Sequence, residues 1–287
     1  MAMRHAYSTL ASSERLASID VCNSDYVATS TLAALRLTMA AIIWSCITFA
    51  VNSGPITLKL QYMPQSKLMS MHDGKTQVDL VGLKRQSPFT GQSFILLGLY
   101  FTLAGCASAL GACDGRMRVL LACLFSTIYP VHLLISAIVT YILIPMGLRR
   151  APDGKLTVAL GMHTALIAHN ANMAFVSIEL ALSRQQVLAE LFPFAILWGV
   201  YFVLFSWYWA RKHRLFYYLF IDATLPPALS VSMHVGLVGT LALFTQVGAF
   251  ISTATKAHGL LAEAGASCLI VFGVTRINFH TSKWRIW

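Results

Sequence analysis

Six apolar runs, each about as long as a bilayer is thick, constrain this chain more than any other feature of its sequence. The runs lie at about 32–51, 93–113, 119–146, 156–182, 191–210 and 229–251. A helix needs roughly 20 apolar residues to cross the hydrocarbon layer, and it satisfies its own backbone hydrogen bonds. We therefore expect an all-α polytopic membrane protein, a bundle of six transmembrane helices, with the short apolar stretch at 268–274 as a candidate seventh segment.

The composition excludes several other classes of protein. Of the 287 residues, 57% are hydrophobic and only 11% are charged, whereas a soluble domain carries about 25% charged residues. Too few charges remain to coat a water-facing surface, so an ordinary soluble enzyme and a disordered protein are excluded. The net charge of +10 comes from short basic clusters beside the apolar runs. Such clusters anchor helices at lipid headgroups, and a nucleic-acid partner is not expected.

The runs divide the chain into three regions. Residues 1–31 form a polar N-terminal tail, residues 32–252 a transmembrane domain, and residues 253–287 a C-terminal tail. Within the transmembrane domain, residues 52–92 form a long polar loop. Loops of this length are usually functional or disordered. With six spans, the Lys and Arg residues number eleven on one side of the membrane and nine on the other. The charge count therefore leaves the topology open.

Several residues in the apolar runs are assigned structural roles. Arg36, the charge in the first run, is expected to snorkel to the membrane surface. Gly98 and Gly105 belong to a small-residue surface that lets a neighbouring helix approach closely. The six cysteines show no Cys-x-x-Cys pattern, and four lie inside apolar runs. They are therefore interpreted as buried small hydrophobic residues rather than as disulfides or metal ligands.

The fourth run carries the polar residues that are candidates for chemistry. Ionisable side chains inside a bilayer are costly, so they indicate function by default. His169, Asn172 and Glu179 fall within one arc of roughly 80° on the helix, which must point into the bundle. His163 lies on another face. This stripe is typical either of hydrogen bonds between helices or of an active site.

Histidines inside a membrane allow three kinds of site. A di-iron centre needs clustered histidines of the HxxxH type, and the sequence has none. A b-type haem needs two axial histidines from facing helices, which His132, His169 and His234 could supply. The third kind is a hydroxyl nucleophile activated by one histidine, which needs neither a metal nor another cofactor.

Three segments follow one another in a characteristic order and spacing, and together they extend over more than half of the chain. In the first, Thr90 follows an aromatic residue and opens an apolar helix that reaches Phe101 eleven positions later. In the second, His169 stands ten positions before Glu179. The third, residues 198–222, is an aromatic span followed by a tyrosine-rich stretch that ends in an acid. Together these segments resemble the androgen-induced gene family, which includes the androgen-dependent TFPI-regulating proteins.

The resemblance implies an integral-membrane hydrolase of lipid esters, in particular of fatty-acid esters of hydroxy fatty acids. It implies Thr90 as the nucleophile and His169 as the base that removes its proton during attack. Asn172 or Glu179 is expected to orient His169. His163 is a rival base, although only His169 keeps the ten-residue spacing to Glu179. If the fourth run enters the membrane at 156 on the side of Thr90, His169 lies ~18 Å deeper than Thr90.

Other interpretations of these residues stay open. Thr90 just before the second run is also typical of a helix N-cap. Ser93 and Gly91 depart from the family pattern, which has an acid and a bulkier residue there. A catalytically inactive member that serves as an accessory subunit of a membrane complex is therefore one alternative, and a b-type haem protein is another. The endoplasmic reticulum or plasma membrane is favoured, with the mitochondrial inner membrane as the alternative.

Overall fold

The computed structural model of the protein describes residues 20–60, 62–68, 77–143 and 167–275. The seven α-helices in these ranges are α1 (Thr29–Asn52), α2 (Phe89–Leu110), α3 (Gly115–Ile138), α4 (Asn172–Leu182), α5 (Phe192–His213), α6 (Pro227–Lys256) and α7 (Leu260–Val274). A π-helical turn, Val139–Leu143, continues α3, and another, Ile167–Ala171, leads into α4. Short 3₁₀ turns lie at Gly82–Gln86, Ala189–Leu191 and Leu219–Ile221.

Within the described ranges, five helical segments are long and apolar enough to cross a membrane. They are Thr29–Asn52, Phe89–Leu110, Gly115–Leu143, Ala189–His213 and Pro227–Ala254. These segments correspond to the first, second, third, fifth and sixth apolar runs, so the prediction of an all-α polytopic membrane protein is confirmed. The fourth run is described only from Ile167, and α7 has only 15 residues. The count of six spans therefore stays a prediction.

The outer helices present large apolar side chains to their surroundings. Phe49 on α1, Leu204 on α5 and Phe250 on α6 are all exposed. By contrast, 89% of the most apolar part of Gly115–Leu143 is buried, so α3 lies at the centre of the bundle. Exposed apolar surface of this extent is what the hydrocarbon of a bilayer covers.

The helices alternate in direction, so the connections between them gather at two ends of the bundle. One end, the disulfide end, comprises residues 20–28, 111–114, 183–191 and 257–259. The other end, the threonine end, comprises residues 53–60, 62–68, 77–88 and 214–226. At the disulfide end the Arg184 amide donates to the Asn23 carbonyl at 3.1 Å. At the threonine end the hydroxyl groups of Ser87 and Tyr217 lie 2.5 Å apart. Each end is therefore held together by bonds between connections distant in sequence.

The polar loop predicted at 52–92 contains regular structure. Strands β1 (Ile56–Lys59) and β2 (Gln77–Leu80) pair antiparallel. Further along, the Arg85 guanidinium donates to the carbonyl oxygens of Ala50 and Gly54. The loop therefore returns to the end of α1 before α2 begins.

Helices α1 and α2 pack closely through the glycines of α2. A side chain added at Gly98 would meet Ile43 at 3.0 Å and Trp44 at 3.1 Å. A side chain added at Gly105 would meet Leu37 at 2.8 Å. The predicted close approach of a neighbouring helix to this small-residue surface is confirmed, and the neighbour is α1.

Arg36 is buried inside the bundle, so the prediction that it snorkels to the surface is wrong. The residue is 1% exposed, and its Nε lies 3.2 and 3.1 Å from the two carboxylate oxygens of Glu179. Its other nitrogens donate to the Ser108 hydroxyl at 2.6 Å and to the Val21 carbonyl at 2.8 Å. The Tyr100 hydroxyl donates to the same carboxylate at 2.8 Å. The pair has the additional hydrogen bonds that a buried ion pair needs, and it joins α1, α2 and α4.

A disulfide joins Cys22 to Cys113, so the interpretation that the cysteines form no disulfide is wrong. The two residues are 91 positions apart in the sequence. The Ser108 hydroxyl also donates to the Cys22 carbonyl at 2.9 Å, which holds the segment before α1 against the end of α2. No local pattern predicts this pair, because α1 and α2 must pack before the two cysteines meet.

We expect Arg36→Met to lower the free energy of unfolding by about 3–5 kcal/mol, because it leaves the Glu179 carboxylate buried without its cation. The double variant Arg36→Met/Glu179→Gln should recover part of that loss, because the stranded charge is gone. Arg184→Met, which breaks the exposed pair with Asp25, is the control and should cost less than about 1 kcal/mol. Unfolding of the purified protein in detergent measures all three. Equal losses for Arg36→Met and Arg184→Met would contradict the role of the buried pair.

Candidate functional site

Thr90 lies in the first turn of α2, which begins at Phe89. Pro88 is the N-cap residue, and no side chain caps this end of the helix. The prediction that the helix begins near residue 93 and leaves Thr90 outside is therefore wrong, as is the N-cap interpretation. A side chain at Gly91 would meet the backbone of Gln86 at 2.8 Å. The glycine after Thr90 is thus explained by the close approach of the preceding turn.

The Thr90 side chain lines a partly open apolar cavity at the threonine end; its empty space, counted together with the open space at its mouth, is about 420 Å³. We call it the Thr90 cavity. Its described lining residues come from α2, α3 and its π-helical turn, α5, α6 and the connection after α5; they are Phe89, Thr90, Leu134, Ile135, Ile138, Val139, Leu143, Phe202, Tyr218, Phe220 and Leu237. Thr90 and Tyr218 are the two residues with polar side chains in this described lining. An apolar wall with a few polar groups is typical of sites that bind small apolar ligands.

Tyr218 brings a second hydroxyl beside that of Thr90. It lies within hydrogen-bonding reach of the Thr90 side chain and of the backbone of Phe89 and Thr90. Burial raises the pKa of the Tyr218 hydroxyl, and its interactions with Thr90 and Phe89 only partly oppose the rise. The phenol therefore stays protonated at neutral pH, and it can donate a hydrogen bond to a group bound in the Thr90 cavity.

A small hydrogen-bond network fixes the connection that carries Tyr218. The Asp222 carboxylate is buried, and it accepts from the Thr224 amide at 2.8 Å and from the Thr224 hydroxyl at 2.6 Å. It also accepts from the hydroxyl of Ser66. Residues 62–68 of the long loop are thereby fastened to this connection, and the position of Tyr218 does not depend on its own contacts alone.

His169 lies in the π-helical turn that precedes α4. Its carbonyl oxygen accepts a hydrogen bond at 2.8 Å from Ser136 on α3, next to the cavity-lining Ile135. Nδ1 of its ring is buried and has no hydrogen-bond partner among the described residues. His169 is not one of the described residues that line the Thr90 cavity, and in the described part of the chain no hydrogen bond joins its ring to the Thr90 hydroxyl.

Thr90 and His169 both lie toward the threonine end of their helices. Helices α2 and α4 both run from the threonine end to the disulfide end, and Tyr100 on α2 donates to Glu179 on α4 at 2.8 Å. Thr90 is ten residues before Tyr100, and His169 is ten residues before Glu179. Each therefore lies about 15 Å further toward the threonine end. The ring contact between Phe101 and Phe175, whose centroids lie 6.4 Å apart, gives a second value, with His169 ~8 Å deeper than Thr90.

Neither of the residues predicted to orient His169 is bonded to it. The Asn172 amide donates to Nδ1 of His132 on α3 at 2.9 Å, and the Glu179 carboxylate is bound by Arg36. The stripe on α4 does point into the bundle, because Asn172 and Glu179 are both buried. Their partners come from α1, α2 and α3, and neither side chain contacts the His169 ring through a hydrogen bond in this arrangement.

The other polar residues singled out in the sequence lie elsewhere. Ser93 is buried and accepts from the Trp198 indole at 3.1 Å, which joins α2 to α5. Nδ1 of His234 lies 2.6 Å from the Ser230 carbonyl of its own helix. His163 lies outside the described residues.

Tyr218 is the residue of this site that the sequence does not reveal. Its stretch is aromatic throughout, and no local pattern separates it from Tyr217, whose hydroxyl lies 2.5 Å from that of Ser87 instead. The sequence signal that could have pointed to Tyr218 is Asp222, the acid that ends the stretch. Its buried hydrogen bonds determine the course of the connection between α5 and α6.

Comparison with known protein families, with curated proteins and with solved structures finds no match to this chain. The likeness to the androgen-induced gene family therefore stays a prediction that rests on three short segments. Within the described ranges, no group of three or more His, Cys, Asp or Glu side chains is placed to hold a metal ion.

We expect Leu237→Trp to weaken binding of a fluorescent fatty acid by roughly tenfold, about 1.4 kcal/mol, because the larger ring enters the Thr90 cavity. Val235→Trp is the matched control: it lies on the same helix, is 64% exposed, and should leave binding unchanged. Fluorescence titration of the purified protein measures both. Equal binding by the two variants would mean that the acyl chain does not occupy this cavity.

Proposed function

We propose that the protein is an integral-membrane hydrolase of lipid esters, with fatty-acid esters of hydroxy fatty acids as its substrate class. One observation carries the proposal: the Thr90 hydroxyl lines an apolar cavity within reach of the Tyr218 hydroxyl. The apolar wall suits an acyl chain. A nucleophile and a hydrogen-bond donor side by side are two requirements of ester cleavage. The family resemblance supports the same class.

Thr90 acts as the nucleophile and His169 as the general base. The Thr90 oxygen attacks the ester carbonyl carbon while its proton passes to the His169 ring. The C–O bond of the ester then breaks, and the imidazolium returns the proton to the departing alkoxide. Water, deprotonated by the same ring, hydrolyses the acyl-threonine and releases the fatty acid.

Two observations support His169 in this role. Its ring nitrogen Nδ1 has no competing partner among the described residues, and its carbonyl oxygen is bonded to Ser136, the neighbour of the cavity-lining Ile135. Catalytic hydrogen bonds are often long before substrate binds. In the proposed mechanism, the base and the nucleophile come into hydrogen-bond contact as the ester enters.

Tyr218 stabilises the negative charge that develops on the carbonyl oxygen. A donor prearranged at this position lowers the energy of the tetrahedral intermediate. Because burial raises its pKa, the phenol remains a donor at neutral pH. Tyr218 thus supplies the oxyanion contact that the sequence does not identify.

The location of the site fits this substrate class. An ester with two acyl chains partitions into the bilayer, where the apolar helices of this protein also lie. The endoplasmic reticulum or the plasma membrane is the proposed location. Membrane lipid, which surrounds the helices there, is the proposed partner.

We expect Thr90→Ala and His169→Gln each to lower kcat by about 10³-fold or more, because nucleophile and base act as a unit. The controls are Thr102→Val, on the same helix but bonded to Trp44, and His234→Gln, which is bonded within α6. Both controls should keep most of the activity. Hydrolysis of a branched fatty-acid ester by protein in detergent micelles measures all four. Turnover retained in Thr90→Ala or His169→Gln would remove that residue from the mechanism. If the native protein shows no hydrolysis and co-purifies with a partner in a fixed ratio, the result would favour an accessory subunit.

Tyr218→Phe should lower kcat by about 10²-fold with little change in KM, because the donor acts in the transition state rather than in substrate binding. Tyr217→Phe is the matched control, because it removes the neighbouring hydroxyl that lies beside Ser87. The kcat and KM values of the two variants separate the roles. A rise in KM alone for Tyr218→Phe would assign this residue to binding instead.

A further inference from the structure

The two ends of the bundle differ in charge. The described side chains of the threonine end and of the adjoining helix turns include two acidic and six basic residues; the basic ones are Lys67, Lys84, Arg85, Arg211, Lys212 and Arg214. Those of the disulfide end and of the helix turns that adjoin it include five acidic and four basic residues; the basic ones are Arg116, Arg118, Arg184 and Lys256. Because Lys and Arg are concentrated on the cytoplasmic side of membrane proteins, the charges favour the threonine end as the cytoplasmic one.

The path of α7 bears on the count made from the sequence, which assigned every basic residue after 252 to the side on which α6 ends. However, α7 runs back along the bundle, and the Thr140 hydroxyl in the π-helical turn of α3 donates to the carbonyl of Val274 at 2.5 Å. The chain therefore leaves the described residues at the level of the π-helical turn, toward the threonine end.

The basic residues of the two ends also differ in their partners. Lys84, Arg211, Lys212 and Arg214 are exposed, and none of them forms an ion pair with a described residue. We call these four the cationic rim. At the disulfide end, Arg184 pairs with Asp25 at 2.6 Å and Lys256 with Glu263 at 3.1 Å. The unneutralised positive charge is thus concentrated at the threonine end.

The disulfide gives an independent indication of orientation. Cys22 and Cys113 are paired, and both lie at the end opposite the cationic rim. Disulfides form and persist in the lumen of the endoplasmic reticulum and outside the cell, whereas the cytosol keeps thiols reduced. The position of the disulfide therefore indicates that this end faces a lumenal or extracellular space.

We propose that the protein sits with its threonine end in the cytosolic leaflet, where the cationic rim binds anionic phospholipid headgroups, and with its disulfide end in the lumen or outside the cell. Charge and redox chemistry are unrelated, and they select the same orientation. The Thr90 cavity then takes its ligand from the cytosolic leaflet. The orientation does not rest on the proposed hydrolysis, so either proposal can fail without the other.

Acceptor segments for N-glycosylation test the orientation directly. The same flexible segment containing Asn-Ser-Thr is inserted between Ala257 and His258, an exposed turn at the disulfide end, or after Gly54, an exposed position at the threonine end. The full chain is translated with sealed microsomes, and glycosidase-sensitive mass shifts are recorded. The insertion at 257 should be glycosylated and the one at 54 should not. Glycosylation at 54, or at neither position, overturns the proposal.

A thiol measurement gives a second readout that does not depend on insertions. Cys22→Ser frees the thiol of Cys113. A membrane-impermeant maleimide should label that thiol only after the microsomes are opened, as judged by peptide mass spectrometry. Labelling in sealed microsomes would place the disulfide end in the cytosol and would contradict the proposal.

The lipid partner is tested with charge variants. Phosphatidylserine added to the purified protein should raise its unfolding temperature more than phosphatidylcholine does, because binding to the folded state stabilises it. The triple variant Lys84→Glu/Arg211→Glu/Lys212→Glu should lose that difference, whereas the control Arg116→Glu/Arg118→Glu at the disulfide end should keep it. An equal response of both variants would overturn the headgroup contact.

Discussion

The buried ion pair between Arg36 and Glu179 is the interaction on which the rest of this bundle depends. A charge inside a bilayer is tolerated only when it is paired and hydrogen-bonded, so the helices that carry these residues can pack in one register. Tyr100 and Ser108 complete the pair from α2. The positions of α1, α2 and α4 along the bundle axis are therefore set by electrostatics. Packing between apolar surfaces specifies these positions much less strictly.

That register decides which polar groups remain for chemistry. Most polar side chains inside the bundle have partners from other helices, as Asn172 has in His132 and Ser93 in Trp198. The Thr90 and Tyr218 hydroxyls are arranged differently, and Nδ1 of His169, like Nε2 of His132 and of His234, is a buried nitrogen without a partner among the described residues. The two hydroxyls meet at an apolar cavity. Polar groups are costly inside a membrane, so those that meet at a cavity are the ones from which a function is best inferred.

The sequence predicts what depends on local composition and misses what depends on contacts between distant residues. Apolar runs and small residues are local signals, so the membrane class and the close packing at Gly98 follow from them. The buried position of Arg36 and the Cys22–Cys113 disulfide require partners far along the chain. For the same reason Thr90 and His169 can be singled out by type and spacing, whereas the contact of Tyr218 with Thr90 needs the fold.

The most direct test of the central claim is covalent labelling of Thr90. The protein is treated with a long-chain fluorophosphonate, which traps activated hydroxyl nucleophiles, and the modified residue is located by peptide mass spectrometry. Modification of Thr90 in the native protein, lost in His169→Gln, is the predicted result, because the hydroxyl reacts only when a base removes its proton. Modification of another residue, or of Thr90 to the same extent without the histidine, would contradict a reaction centre built from these two groups.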